Sequence, residues 1–290
     1  MLHVDRLPTL DDALLLYSFR GWVDAGLAGA GTVDAVIHQM SDARRFATID
    51  LTDLLDLQQV RPTVRLVDGG LREIEWPQVE LWCGRLGRDI VAVRGPEPSI
   101  KWPMFTQMIV DLANRVSVHD AVAVGGMPAL TTHRMPVPVL ATAATRSVAQ
   151  EIGVLRDDYS GPTGLNTVLQ HALGVAGIRS AALWAQVPQY VSGSASPPAV
   201  RSLLARLGEV FRVATDLAAI DRRAAAYRER VDEGLAERPD VRAIVEQLDH
   251  QFEHPETVGH HDELPTDLPS GDELADEIEQ FLRNNPDPGD

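Results

Sequence analysis

A chain of 290 residues, 44% hydrophobic and 23% charged, has ample apolar material for a core and exceeds the commonest single-domain size. Its net charge of −16 is concentrated: residues 231–290 hold 18 Asp/Glu against 3 Arg, while the preceding 230 residues hold 24 acidic and 23 basic ones. An acidic tail on a neutral body excludes nucleic acid and anionic membranes, which select basic surfaces. A single cysteine, Cys83, excludes an intrachain disulfide and a multi-cysteine zinc site, and the Trp82-Cys83 context reads as a buried strand. No apolar run approaches the roughly 20 residues that span a bilayer, and the opening residues do not read as a secretory signal. A soluble cytoplasmic protein is expected.

Short apolar runs alternate with helical patterns through the first two thirds, which predicts an α/β sheet protein. Strands are expected at Leu14–Phe19, Phe46–Asp50, Thr63–Val67, Val79–Cys83, Ile90–Val93, Ala121–Val124, Val137–Ala141 and Ala181–Ala185. Helices are expected at Gly26–Met40, Thr106–Val116, Thr145–Gly153 and Gly164–Leu173. Asp68-Gly69-Gly70, between Thr63–Val67 and Arg72–Trp76, is a hairpin signal and predicts a mixed sheet.

After Val191 the pattern becomes helical. Val200, Leu203, Leu204, Leu207, Val210 and Phe211 share one helical face, as do Leu217, Ile220, Tyr227, Val231 and Leu235. A third stripe, Val241, Ile244, Val245, Leu248 and Phe252, follows the start signal Pro239-Asp240. The stretch from His254 to Leu268 is polar and reads as a linker, and Ser270–Glu273 forms a capping box for a short last helix. The division expected is an α/β core over 1–191, a helical extension over 192–253, and an acidic linker with a short helix over 254–290.

Several segments together resemble one family. Phe19-Arg20-Gly21-Trp22-Val23-Asp24-Ala25-Gly26 looks like its entry into the first helix, and Arg61–Gly69 with Glu73-Ile74-Glu75-Trp76-Pro77 looks like its next block. Arg94-Gly95-Pro96-Glu97-Pro98-Ser99 and Gly125-Gly126-Met127-Pro128 follow in order, and Ser270–Leu274 resembles a C-terminal signature of longer members. The family is that of the proteasome assembly chaperones, in an actinobacterial-like form. The resemblance implies a three-layer α/β/α fold similar to nucleoside phosphorylases, a homo-oligomer, often a trimer, and a protein-binding role with proteasome subunits as possible partners. The chain departs from the family at two points. Its chaperones dock through a tail ending hydrophobic-Tyr-X, whereas this sequence ends Asp287-Pro288-Gly289-Asp290; and Thr132-His133-Arg134-Met135-Pro136 alters the spacing after the Gly-Met-Pro turn.

Candidate chemistry clusters where strands hand over to helices. The first N–H groups of a helix attract anions and Arg20 adds charge, so Arg20, Gly21 and Asp24 are candidate ligand contacts. Asp24 is equally an ordinary helix cap whose carboxylate would compete with an anion. Gly95 and Gly126 end strands, and ligands on open α/β sheets gather there, so these loops with Arg20 would line one crevice. His133 and Arg134 would reach it, and Glu97 and His133 are candidates for an acid/base pair. The plainer reading makes the glycines turn residues and leaves His133 and Arg134 on the surface.

Ser160–Gly164 is not a nucleophile elbow and reads as a turn with Thr163 as a helix cap. With Lys101 the sole lysine, an ATP-grasp ligase, a label sometimes given to the family, has little support. His250 and His254, four apart around Gln251-Phe252-Glu253, match an inverted zinc-protease pattern, but Pro255 ends the helix at once and a solvated helix end is the stronger reading. No cofactor is expected. The sequence therefore points to a non-enzymatic assembly scaffold, with a strand-end small-molecule site (for a nucleoside, nucleotide or phosphate) as the alternative.

Overall fold

The computed structural model describes residues 1–21, 24–67, 70–154, 160–236 and 238–253. Its centre is an eight-stranded mixed sheet. The strands are β1 (Leu2–Val4), β2 (Ala13–Arg20), β3 (Ser41–Asp50), β6 (Gln78–Leu86), β7 (Arg88–Pro96), β8 (Val118–Ala129), β9 (Val139–Ala143) and β10 (Arg179–Pro188), in the order β1-β3-β6-β7-β2-β8-β10-β9. The four strands β7-β2-β8-β10 run parallel, and antiparallel pairs extend the sheet on both sides. Each predicted strand is present; β1, only three residues long, carries too little pattern to be read.

The sheet is mixed for a reason other than the one expected. The hairpin β4 (Thr63–Val67) and β5 (Leu71–Glu75) forms its own two-stranded sheet. The antiparallel character of the main sheet comes instead from β1, β3, β6 and β9.

Seven helices occur among the described residues: α1 (Ala28–Gln39), α2 (Trp102–Arg115), α3 (Arg146–Ile152), α4 (Leu165–Val175), α5 (Pro197–Phe211), α6 (Ala218–Ala236) and α7 (Pro239–Glu253). No helix among the described residues is long and apolar enough to cross a membrane. Alternation along β2 sends Leu15, Tyr17 and Phe19 to one face and Leu14 and Leu16 to the other, and seven of its eight residues are buried. On the first face Phe105, Ile109 and Leu112 of α2 and Leu165, Leu169 and Leu173 of α4 complete a core. On the second, α1, α3 and α5 do the same, so the body is a three-layer α/β/α structure. Leu203, Leu204 and Leu207 of α5 are fully buried in that second core, which makes this helix part of the body's outer layer. A third cluster joins Tyr190 and Val191 to Tyr227, Val231 and Leu235 of α6 and to Val241 and Val245 of α7. Cys83 is buried in β6, as its context predicts.

The chain leaves β2 through α1 on the second face and leaves β7 through α2 on the first. The C-terminal ends of these two neighbouring parallel strands thus flank a topological switch point, where α/β sheets offer a crevice. Leu203→Ala is expected to lower unfolding stability by about 2–5 kcal/mol, read from the urea midpoint. A loss below about 1 kcal/mol would place α5 outside the core.

Candidate functional site

Three local arrangements hold the residues that the sequence singles out. The first is the entry to α1. Asp24 Oδ1 accepts from Gly29 N at 2.6 Å and Oδ2 from Ala30 N at 3.1 Å, so this carboxylate sits on the anion-attracting N–H groups of the helix. Burial raises the Asp24 carboxyl, against the pull of those N–H groups, of Gly126 N–H and of the Arg20 charge. The loop is fixed from the other side as well. Gly26 N donates to Ser192 O at 2.5 Å and Ser196 N donates to Gly26 O at 2.8 Å. A side chain at Gly126 would overlap the Ala25 carbonyl oxygen, so a glycine there lets β8 run directly beneath the turn. Trp22 and Val23 of the same motif lie outside the described residues.

The second arrangement is the end of β7. Glu97 N donates to Arg20 O at 2.8 Å, and Glu97 Oε1 accepts from Leu165 N at 2.6 Å. The Gly164 position that caps α4 has no side chain to offer, and Thr163 makes no cap, contrary to the sequence expectation. Glu97 supplies the cap from 68 residues away. A side chain on Gly21 would overlap the Glu97 carboxylate, which explains glycine at that strand end.

The third arrangement involves His133 and Arg134. Both face the α6–α7 pair and are held there by carboxylates. The His133 side chain has no exposed surface. Its backbone N donates to Tyr190 Oη at 2.9 Å, its Nδ1 lies 2.7 Å from the same oxygen, and its Nε2 lies 3.1 Å from Asp232 Oδ1. Because the backbone N–H fills the phenol's acceptor site, the phenol O–H donates to Nδ1. That assigns the neutral ring with its proton on Nε2, donated to Asp232. Arg134 bonds Asp232 through Nε at 3.1 Å and Nη2 at 2.8 Å, and its Nη1 reaches Asp249 Oδ2 at 3.1 Å. Burial lowers the His133 pKa, opposed by the Asp232 charge. Burial alone would raise the Asp232 carboxyl, but the hydrogen bonds from Arg134 and His133 outweigh it and bring it down. A ring with no exposed surface offers no substrate access, so the cluster serves as a strut between the loop after β8 and the helical extension.

Of the predicted site residues, Arg20 and Gly95 come together, lining a cleft of about 590 Å³. Asp24, Gly126, Gly21 and Glu97 set the loops behind it, and His133 with Arg134 belongs to the strut. His250 is exposed near the end of α7, and His254 lies outside the described residues. The cleft is built from the ends of β2, β6 and β7, from Ala30 and Asp34 of α1, and from the base of the hairpin at Arg61, Thr63, Glu75 and Trp76. Sequence reading did not assemble it, although Arg61 and Trp76 stand in the blocks that carry the family resemblance. Nor did it find Tyr190, Asp232 and Asp249, whose only sequence signal is polar residues interrupting apolar helical stripes. Asp12, His119 and Asp120 also cluster, but Arg88 bonds both carboxylates, at 3.3 Å and 2.9 Å, and Arg179 lies 3.5 Å from Asp120, so the carboxylates are already ion-paired.

A mixed sheet with these strand ends, an α-helical layer on each face and a detached hairpin defines an α/β/α protein with its crevice at the β2–β7 switch point. The model of the PAC2 family matches residues 18–235. A PAC2 family protein from Streptomyces avermitilis is 36% identical, with 77% of this chain and 95% of that one covered and a TM-score of 0.73. A proteasome-assembly chaperone homologue from Mycobacterium tuberculosis is 33% identical over 80% of this chain and 99% of that one, with a TM-score of 0.73. An archaeal proteasome activator from Pyrococcus furiosus, 15% identical, shares the fold at a TM-score of 0.66 over 80% of this chain and 97% of that one. No curated protein matches at a significant level. The chain belongs to the PAC2 family. The match ends at residue 235, so the Ser270–Leu274 block lies beyond it and outside the described residues.

The strut makes stability depend on pH. Because the folded His133 pKa lies below the ordinary 6.5, the unfolded chain takes up the proton first as pH falls. The stabilisation is therefore present above pH 6.5 and declines as pH falls below it. Lowering the pH from 7.5 to about 5.5 should increase amide exchange across α6 and α7 more than in the central strands, and His133→Gln should flatten that dependence. Asp24→Ala removes two caps and should cost about 1–2 kcal/mol of stability in a urea titration.

Proposed function

We propose that this chain is a non-enzymatic assembly scaffold of the proteasome assembly chaperone type, working in the cytoplasm through protein–protein contacts. The observation that carries this reading is one face of the β4–β5 hairpin. Val64 pairs with Ile74, and Leu66 lies on the same side, with Trp76 just beyond the strand. These four side chains are 56%, 56%, 68% and 51% exposed, respectively, a clustered apolar face on a two-stranded element outside the main sheet. Large apolar side chains gathered on one exposed face mark a surface that a partner covers.

Arg72, which pairs with Leu66, borders this apolar group, and the opposite face carries Thr63, Arg65, Glu73 and Glu75, with Val67 toward the turn. Arg65 bonds Glu73 at 3.3 Å and Glu75 at 2.9 Å. The hairpin is thus two-sided in chemistry, and the apolar side is the one suited to a protein partner. Its outer backbone edges add main-chain hydrogen-bonding groups that a partner strand would pair. The acidic stretch from residue 231 onward steers association toward basic surfaces. Membership of the PAC2 family and the names borne by relatives support a proteasome-related partner, and the family resemblance favours a homotrimer.

Affinity capture of the full chain from its native host in mild salt, read by mass spectrometry, tests the proposal. Proteasome subunits are expected with the unaltered chain and are expected to be lost with Leu66→Asp/Ile74→Asp, both positions being exposed and so tolerant of charge in the fold. Recovery of the chain alone, or equal recovery with the double variant, would contradict it. Light scattering should give three subunits per particle, and a monomer at all concentrations would overturn the homotrimer.

A further inference from the structure

We infer that the cleft at the β2–β7 switch point binds a small organic oxyanion, its charged end held by Arg20 and Arg61 and its flat or apolar part laid against Trp76. The first observation is the charge balance of the lining. Its carboxylates are already ion-paired: Asp34 and Glu80 are both bonded to Arg94, Glu80 also to Arg45, and Glu75 to an Arg65 that it shares with Glu73. Hydrogen bonds from Trp82, Arg45 and Arg94 keep the Glu80 carboxyl below its usual range despite its burial, so it stays an anion committed to those partners. Arg20 and Arg61 line the same cleft, both exposed, and neither guanidinium makes an ion pair or hydrogen bond with a described residue. Two guanidinium groups without an ion pair or hydrogen bond to a described residue thus face one cavity, Arg20 acting on Asp24 only through its charge.

The second observation is independent of charge. Ser18, two residues before Arg20 on the same side of β2, is 2% exposed and lines the cleft floor, its Oγ packed against Gly29 of α1 with no hydrogen-bond partner among the described residues. A volume of about 590 Å³ falls in the roughly 300–1,000 Å³ range of small-molecule sites. The planar forks of two arginines suit a phosphate or a carboxylate, and a half-exposed indole at the rim suits a ring. The N-terminus of α1 adds nothing here, because Asp24 already occupies its N–H groups.

The site adjoins the scaffold surface at Trp76, which both share, while Val64, Leu66 and Ile74 of the apolar face do not line the cleft. Calorimetry on the full chain with phenyl phosphate, benzoate and inorganic phosphate tests it. Saturable binding of phenyl phosphate or of benzoate is expected, with the preference between them identifying phosphate or carboxylate as the natural headgroup and with inorganic phosphate binding more weakly for lack of the ring. Arg20→Ala and Arg61→Ala should each weaken that binding about tenfold or more, and Arg201→Ala on α5 should leave it unchanged. Absence of saturable binding to both organic probes, or binding undiminished in Arg20→Ala and Arg61→Ala, would overturn the inference. Because Arg20 and Arg61 are exposed and make no ion pair with a described residue, their variants keep the fold, which the thermal transition of each checks. Loss of partner capture in the hairpin variant bears on the scaffold reading alone, so the two fail separately.

Discussion

The constraint on which the rest of the molecule depends is the burial of β2 on both faces. From Ala13 to Phe19 every residue is inaccessible, and the strand pairs with parallel neighbours on either side. Polar function can begin only where the layers part, at Ser18 and Arg20, so the switch point between β2 and β7 is where this fold can offer a crevice. The same constraint explains the two loop carboxylates. Helices α1 and α4 start near those strand ends with unpaired N–H groups, and Asp24 and Glu97 satisfy them internally. Helix ends that would otherwise draw anions are filled by the protein itself, and what remains for a ligand is the side-chain chemistry of the cleft.

The C-terminal helices are attached by different physics. Helix α5 is bound by apolar burial against α1 and the sheet, whereas α6 and α7 rest on a small satellite cluster and a polar strut. In that strut one phenol, one imidazole, one guanidinium and two carboxylates satisfy one another across a sequence separation of about a hundred residues. Of the strut's charged members, Arg134 and Asp232 are exposed, so their ion pairs fix geometry more than they add stability. The extension is therefore positioned specifically but held by fewer apolar contacts than the body.

Much of the fold was legible in the sequence. Apolar runs of four to six residues marked the strands, and three helical stripes marked α5, α6 and α7, because burial imposes period on each element separately. The hairpin turn was also readable, but its sheet membership was not: a turn signal fixes which two strands pair, while the rest of the sheet is chosen by long-range contacts. The site was less legible. Asp24 as a cap followed from its local position, yet Glu97 capping α4 in place of Thr163 did not, since no local pattern links residues 68 apart. His133 and Arg134 read as crevice residues because they follow a strand end, and only tertiary packing brings Tyr190, Asp232 and Asp249 to them. The cleft is assembled from five separated segments, with Arg20 and Arg61 distinguished by making no ion pair with a described residue, a property no sequence pattern encodes.

The scaffold account makes the hairpin's stability depend on a partner, since a two-stranded ribbon with one apolar face in water is marginal by itself. Hydrogen exchange at the amides of residues 63–67 and 71–75, compared between the dilute isolated chain and the chain captured with its partner, tests that most directly. The account predicts fast exchange in the isolated chain and strong protection in the complex, with the central strands unchanged. Full protection of the hairpin in the dilute chain, unaltered by the partner, would contradict it.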